Sequence, residues 1–352
     1  MSVEIRLLED NEFELVNNFF NSIYKSNRSL ENFKWEFVNG PNGKAIYVLA
    51  VDKSKDYPKI VGIQCAIPIE FISSSGKIVL TAKSEDTLVD PDYRGQKIFE
   101  RMYALLFEEC VKAGIKYIWG FTPASKAFER IGFTVPFKAH QGLLVNEPIA
   151  AYQHLSGLNK LNTFKEKIKI AGLSFMSFIK RWIKQPDKNQ IEFKDLSNES
   201  LQRYFIEFKS GKLYHHINQT KEYIHWRQFS NPYQNQYKNI SFANSKAQVT
   251  INFRKGIGYI EQMIFASDIS ESNREKIVGD ACHLLLKQGV SAIRTLCFDT
   301  NDELRSQTDL YAKNGFIILK RGNWFVWKSL DNQNEIKPES ILLNRFYLQG
   351  NM

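Results

Sequence analysis

A loose internal repeat restricts the fold of this chain more than any other feature. Phe33-Lys34-Trp35-Glu36-Phe37 leads into Asn39-Gly40-Pro41 and a strand-like run from Ala45 to Val51. Tyr223-Ile224-His225-Trp226-Arg227 leads into Asn231-Pro232 and a strand-like run from Lys246 to Phe253. Further on, Glu85 opens Glu-Asp-Thr-Leu-Val ahead of one helix, and Glu261 opens Glu-Gln-Met-Ile-Phe ahead of another. Ile131-Gly132-Phe133 finds its match in Asn314-Gly315-Phe316. Landmarks in the same order argue for a duplicated domain. The 352 residues suffice for two domains, each able to bury a core.

Local patterns fill in each half. Residues 11–26 read as a helix, and 45–52, 59–72 and 77–89 as strands. A helix carrying Ile98, Met102, Leu105 and Leu106 stops at Gly114, followed by a strand over 115–121 and a short helix over 124–131. The second half repeats the later elements: helix 273–288, strand 290–298, helix 302–314, and strands 316–320 and 323–328. Strands separated by helices place the chain in the α/β class, with mixed, largely antiparallel sheets flanked by helices. The expected division is 1–148, a connecting segment 149–191, and 192–352.

Composition excludes some classes. At 43% hydrophobic and 24% charged, the chain is not disordered. The opening MSVEIRLLED lacks the apolar stretch of a secretory signal, and no uncharged apolar run approaches a membrane span. Cys65, Cys110, Cys282 and Cys297 show no metal or redox spacing and read as buried thiols of a cytoplasmic protein. His215 and His216 are adjacent and diverge, so no metal is expected.

The net charge of +9 is concentrated. Between Leu155 and Gln190, eight Lys or Arg face two acids, interleaved with Leu158, Leu161, Phe164, Ile168, Phe175, Phe178, Ile179 and Trp182. This is the pattern of one basic amphipathic helix, or of two broken near Gly172. Residues 158–184 therefore suit either the surface of an anionic membrane or packing on the protein's own domain. Nucleic-acid binding is not expected, because no recognition fold accompanies the charge.

The chemistry concentrates in Leu88-Val89-Asp90-Pro91-Asp92-Tyr93-Arg94-Gly95-Gln96-Lys97-Ile98-Phe99. A strand ends, the chain turns, and a helix begins. The first amides of a helix lack intrahelical partners and carry partial positive charge, which makes a cradle for pyrophosphate. Arg94 and Lys97 add full charges, and Gly95 permits close backbone approach. The bland alternative is a basic helix start on the surface.

This segment resembles motif A of the GNAT acyltransferase superfamily, Arg/Gln-x-x-Gly-x-Gly/Ala after a Val-x-Pro strand end. Arg94 matches its first position; Lys97 and Phe99 replace the small residues at the fourth and sixth. Ala124-Ser125-Lys126-Ala127-Phe128-Glu129-Arg130-Ile131-Gly132-Phe133 resembles motif B, with Phe128 where a tyrosine often protonates the leaving thiolate. Leu310 to Phe316 fits motif B better, yet Ser267 to Val278 shows no Arg-x-x-Gly loop. The resemblance spans roughly residues 1–145 and 192–330 and implies two GNAT-like domains, of which only the first binds acyl-CoA. It implies acetyl-CoA as cosubstrate, held by Leu88, Val89, Arg94, Gly95, Gln96, Lys97, Ile98, Phe99, Ser125 and Phe128. It also implies N-acylation of a primary amine, such as an amino sugar linked to nucleotide or lipid.

Such a reaction needs a base for the ammonium proton. Relatives often place a carboxylate on the strand before motif A, where Glu85 and Asp86 stand here. Neighbouring strand residues face opposite sides, so only one reaches the acyl centre, with Glu85 preferred for its longer arm. Glu261 is the matching residue of the second half. Trp35 and Trp226 are placed to frame a groove between the halves. Two alternatives compete: a FemX-like aminoacyl transferase using aminoacyl-tRNA, which the basic linker suits, and a non-catalytic binding module, which Lys97 and Phe128 suit.

Overall fold

The computed structural model describes residues 3–54, 57–156, 163–183, 193–196, 201, 215–233, 235–242, 246–266, 268–298, 307–320, 322–331 and 336–348. Residues 302–306 of the expected 302–314 helix lie outside them, as do Leu158, Leu161, Lys160, Lys184 and Lys188.

The first half begins with β1 (Val3–Leu7), helices α1 (Phe13–Tyr24) and α2 (Leu30–Phe37), and strands β2 (Ile46–Asp52), β3 (Lys59–Ser73) and β4 (Ile78–Val89). Helix α3 (Ile98–Lys112), β5 (Tyr117–Thr122), α4 (Ser125–Arg130), β6 (Thr134–Lys138) and β7 (His140–Val145) follow. The connecting segment contains α5 (Pro148–Ser156) and α6 (Phe164–Ile183), the latter running through Gly172 without a break. The second half holds β8 (Phe193–Asp195), β9 (His215–Ile217), a short helix Lys221–Ile224, β10 (Gln236–Phe242), β11 (Ala247–Arg254) and β12 (Ile257–Phe265). Helix Glu271–Leu286, β13 (Ala292–Cys297), helix Gln307–Lys313, β14 (Ile317–Leu319) and β15 (Trp324–Ser329) complete it.

Two mixed sheets result. The first runs β1-β2-β3-β4-β5-β15-β6, with β9 pairing on β3; the second runs β8-β10-β11-β12-β13-β7-β14. In each, one parallel pair, β4 with β5 or β12 with β13, interrupts an antiparallel order. The orders are equivalent strand for strand, so the counterpart of β2 is β10. The landmark run at 246–253 is instead β11, the counterpart of β3, so this one landmark is displaced by a strand while Glu85 and Glu261 do fall on the equivalent strands β4 and β12.

The last strand of each half crosses over. β15 inserts between β5 and β6, while β7 inserts between β13 and β14. A cut at 148 therefore leaves each sheet without its exchanged strand. The tail tightens this union: Ile336, Ile341, Leu343, Phe346, Tyr347 and Leu348 join the core formed by Phe33, Trp119, Trp226 and Trp327.

Trp35 and Trp226 mark the local two-fold relation. Their rings stack with centroids 4.9 Å apart. Each indole N–H donates to the other's backbone carbonyl, at 2.9 and 2.8 Å. The helix start before each is capped alike, Ser29 Oγ accepting from Asn32 N and Thr220 Oγ1 from Tyr223 N. These tryptophans are buried against each other, and a groove lies over the pair.

Candidate functional site

β4 and β5 pair only from Thr81–Tyr117 to Lys83–Trp119 and then diverge. Beyond Lys83 the β4 edge facing β5 has no strand partner, so its amides and carbonyls are available to a ligand. Gly120 sits at the root of the V. A Cβ there would lie 3.0 Å from the Ser84 carbonyl oxygen, so a side chain would crowd the fork. The V opens into a cavity of about 640 Å³. Its walls include Glu36, Ser84, Glu85, Asp86 and Thr87, and across from them Phe121, Thr122 and Phe128. Tyr233, Arg254 and Lys255 of the second half also reach it.

β4 carries a bulge at this point. Ile63 pairs with Leu88 and Cys65 with Glu85, leaving β4 one residue longer than β3. Asp86 takes up the extra length in the left-handed region, at φ 48°. The bulge cancels the expected alternation. Glu85 pairs with Lys83. Asp86 turns to the same face, where it accepts from Tyr47 Oη at 2.7 Å and faces Arg28 at 2.8 and 3.1 Å. The expectation that the two carboxylates face opposite sides is corrected: both line the cavity.

A third carboxyl, which the sequence reading did not single out, joins them. Glu36 on α2 is buried, lines the cavity, and forms no hydrogen bond or ion pair among the described residues. Burial, and then the negative charges of Glu85 and Asp86, push this carboxyl up to about 8 against the pull of Arg28 and Lys83. Its signal was in the repeat. Glu36 follows Trp35 as Arg227 follows Trp226, so a charge reversal beside two matched tryptophans marked the site.

Glu261 is not part of this cavity. It accepts from Asn252 at 3.1 Å and lies 3.4 Å from Arg345 Nε. Arg345 belongs to the tail turn Arg345–Tyr347, which packs against β12 and β13 where the second V would open, its guanidinium 4.4 Å from the Tyr259 ring centroid. The chain's own tail thus occupies the second fork. The polar pairs differ in parallel: Arg28 and Asp86 of the first half correspond to Gln219 and Gln262, whose amide groups bond at 2.8 Å.

At the end of β4, Leu88 and Val89 pair with Ile63 and Gly62. Asp90 caps the turn Pro91–Tyr93 by accepting from Asp92 N, and Tyr93 Oη donates to Asp52 at 2.6 Å. Gly95 and Lys97 then adopt positive φ, 81° and 55°. Lys97 therefore takes the left-handed conformation that glycine adopts most easily, and the replacement leaves the loop's turn intact. Arg94, Gly95 and Lys97 are exposed, and Gln96 is half-buried beside them. The amides of Gly95, Gln96 and Lys97 have no acceptor among the described residues. This is a set of donors and cations at a helix start that fits a pyrophosphate. Ile98 is buried beneath the loop.

Phe99 and Phe128 pack with Tyr103, ring centroids 4.8 and 5.5 Å away. Ser125 stands at the start of the six-residue α4, outside the cavity lining. Tyr103 Oη lies 2.7 Å from Ser84 Oγ and 3.2 Å from Thr87 Oγ1, and both partners line the cavity. A phenolic hydroxyl thus approaches the site from α3 where α4 offers only a phenyl ring. Among the described residues no three His, Cys, Asp or Glu side chains form a group suited to a metal ion.

The family profile described as Acetyltransferase (GNAT) domain matches residues 4–135. No curated protein sequence matches the chain. Solved structures share the fold over nearly its whole length. A conserved protein of unknown function from Enterococcus faecalis, described as a probable N-acyltransferase, aligns at a TM-score of 0.61 and 8% identity, covering 94% of this chain and 73% of that one. Saccharomyces cerevisiae N-myristoyltransferase with bound myristoyl-CoA aligns at 0.60 and 14% identity, covering 93% and 80%. A tandem GNAT protein from the clavulanic acid biosynthesis pathway aligns at 0.55 and 11% identity, covering 95% and 100%.

Proposed function

We propose that this GNAT-type N-acyltransferase, whose residues 4–135 belong to that family, transfers an acetyl group from acetyl-CoA to a primary amine in the cavity between β4 and β5. The observation that carries the reading is the convergence at one fork of a free strand edge, an amide-lined basic loop and a carboxyl held at about 8. Acetyl-CoA, when bound, supplies an activated thioester; Arg94, Lys97 and the amides from Gly95 onward would hold its phosphates. A cytoplasmic location, where acyl-CoA is available, suits this donor.

Each residue near the fork then has a distinct task. Glu85 is tied to Lys83, and Asp86 to Arg28 and Tyr47. Glu36 is left to take the ammonium proton, because a base poised near the working pH serves best. The new N–C bond forms as the C–S bond breaks, and the second proton that the nitrogen sheds on becoming an amide passes to the thiolate sulfur. Burial raises the Tyr103 phenol, so Tyr103 acts not as the acid but by holding the hydroxyls of Ser84 and Thr87, which can hydrogen-bond the sulfur in place of the hydroxyl that Phe128 lacks. On the acceptor side Arg254 and Lys255 form no ion pair among the described residues, which favours an acceptor carrying phosphate, such as a nucleotide- or lipid-linked amino sugar.

The test is release of CoA thiol from acetyl-CoA against amino sugars, nucleotide-linked amino sugars, aminoglycosides and peptides. Turnover is expected with a phosphate-bearing amino sugar, and lost on its N-methylation to a quaternary ammonium. Turnover with peptides alone would contradict the acceptor class.

A further inference from the structure

Helix α6 presents an apolar ridge to water. Phe164, Ile168, Phe175 and Phe178 are 79%, 57%, 64% and 62% exposed. With 3.6 residues per turn, the four fall within about 80° of one another around the helix. Ala171 and Gly172, exposed as well, continue the ridge between them. The opposite side is docked: Glu166, Ile170 and Leu173 are half-buried, and Leu173 packs on the cluster of Val145, Ala151, Ile257 and Tyr259. A helix that rests on its own domain by one side has no intramolecular use for four large apolar side chains on the other.

The charges flank this ridge. Lys165, Lys167 and Lys169 are exposed, with Lys167 on one side of the apolar stripe and Lys165 and Lys169 on the other. The surrounding sequence from Leu155 to Gln190 holds eight Lys or Arg and two acids. No helix of the described residues is long and apolar enough to cross a membrane. An apolar stripe bordered by lysines on a helix that cannot span is the arrangement that lies flat in a headgroup layer.

We infer that α6 is an interfacial helix that docks the protein on an anionic lipid bilayer, with Phe164, Ile168, Phe175 and Phe178 entering the acyl boundary and the lysines meeting lipid phosphates. α6 packs on α5, and His154 of α5 lies against Gly256, in the turn next to Arg254 and Lys255 of the cavity rim, so a chain of contacts links the helix to that rim. The docking itself stands apart from acyl transfer and is read without turnover.

The experiment is flotation of the full chain with vesicles of phosphatidylcholine alone and of phosphatidylcholine mixed with phosphatidylglycerol, at low and high salt. The wild type is expected to float with the anionic vesicles, and high salt to release it. Phe175→Glu/Phe178→Glu should weaken vesicle binding at least about a hundredfold, because two aromatic side chains no longer leave water. Lys165→Gln/Lys167→Gln/Lys169→Gln should weaken it by about fivefold per lysine, roughly a hundredfold together. All five side chains are exposed, so both variants should keep the wild-type unfolding midpoint. The inference is overturned if the wild type ignores anionic vesicles or binds neutral ones equally well. It is also overturned if the wild type fails to float but is a dimer in solution that Phe175→Glu/Phe178→Glu makes monomeric, since a second copy would then be the occupant.

Discussion

Replacing Glu36 by glutamine separates two consequences of one buried carboxyl. In the folded chain Glu36 holds its proton up to about pH 8, whereas in the unfolded chain it loses it near the ordinary glutamate value of about 4.3. Between those values the native state binds the extra proton, so stability falls as pH rises, by about 1.4 kcal/mol per pH unit. From pH 5.5 to 8 this amounts to about 3 kcal/mol. Glu36→Gln removes the titration and keeps the shape. Urea denaturation at the two pH values should show the variant's stability nearly flat over a range where the wild type declines, so the variant gains on the wild type as pH rises. Activity should move the other way. The wild-type rate is expected to climb through about pH 8 as Glu36 becomes basic, and the variant should lose that limb and fall by roughly 10²–10⁴-fold in CoA release. An unchanged rate with the same rising limb would refute Glu36 as the base. Equal destabilisation at both pH values would refute the raised carboxyl itself.

Arg28→Gln should cost about 3–5 kcal/mol, because it strands the buried Asp86 carboxylate. Arg28→Gln/Asp86→Gln should recover at least about 2 kcal/mol of that, since the second half already holds this pair as Gln219 and Gln262; additive losses in a urea double-mutant cycle would contradict the equivalence. Arg94→Ala should weaken acetyl-CoA binding by roughly 10–100-fold in titration calorimetry while changing stability by less than about 0.5 kcal/mol; unchanged affinity makes the loop structural. Residues 1–148 and 192–352 produced separately should each fail to unfold cooperatively, for want of β15 in one and β7 in the other; a sharp thermal transition in either fragment alone would show that the exchanged strands are dispensable.

The duplication was legible because tryptophans beside turns and the Gly-Phe pairs survive as landmarks. The turn between β4 and α3 was legible because a strand end, a turn and a helix start leave a local record in residue type. Strand exchange was not. β15 reads as an ordinary strand over 323–328 and β7 was not singled out at all, and period-2 patterning says that a strand has a buried face without saying which sheet provides it. The bulge at Asp86 was hidden for a related reason: no glycine announces the left-handed residue, and alternation assigned the two carboxylates to opposite faces. Lys97 shows the reverse case, where an apparent departure from the motif keeps the backbone conformation the loop requires. Glu36 lay in plain view within the repeated block, but a carboxylate in the last turn of a helix reads as solvated until the fold buries it beside two others.

One acyl-CoA site per chain is expected, at the fork of β4 and β5, because the tail turn Arg345–Tyr347 occupies the equivalent fork of the second half. Titration calorimetry of the full chain with acetyl-CoA counts the sites. The predicted result is one molecule bound per chain, weakened in Arg94→Ala and retained in Glu261→Gln. Two molecules per chain, or a single site lost in Glu261→Gln and indifferent to Arg94→Ala, would contradict it.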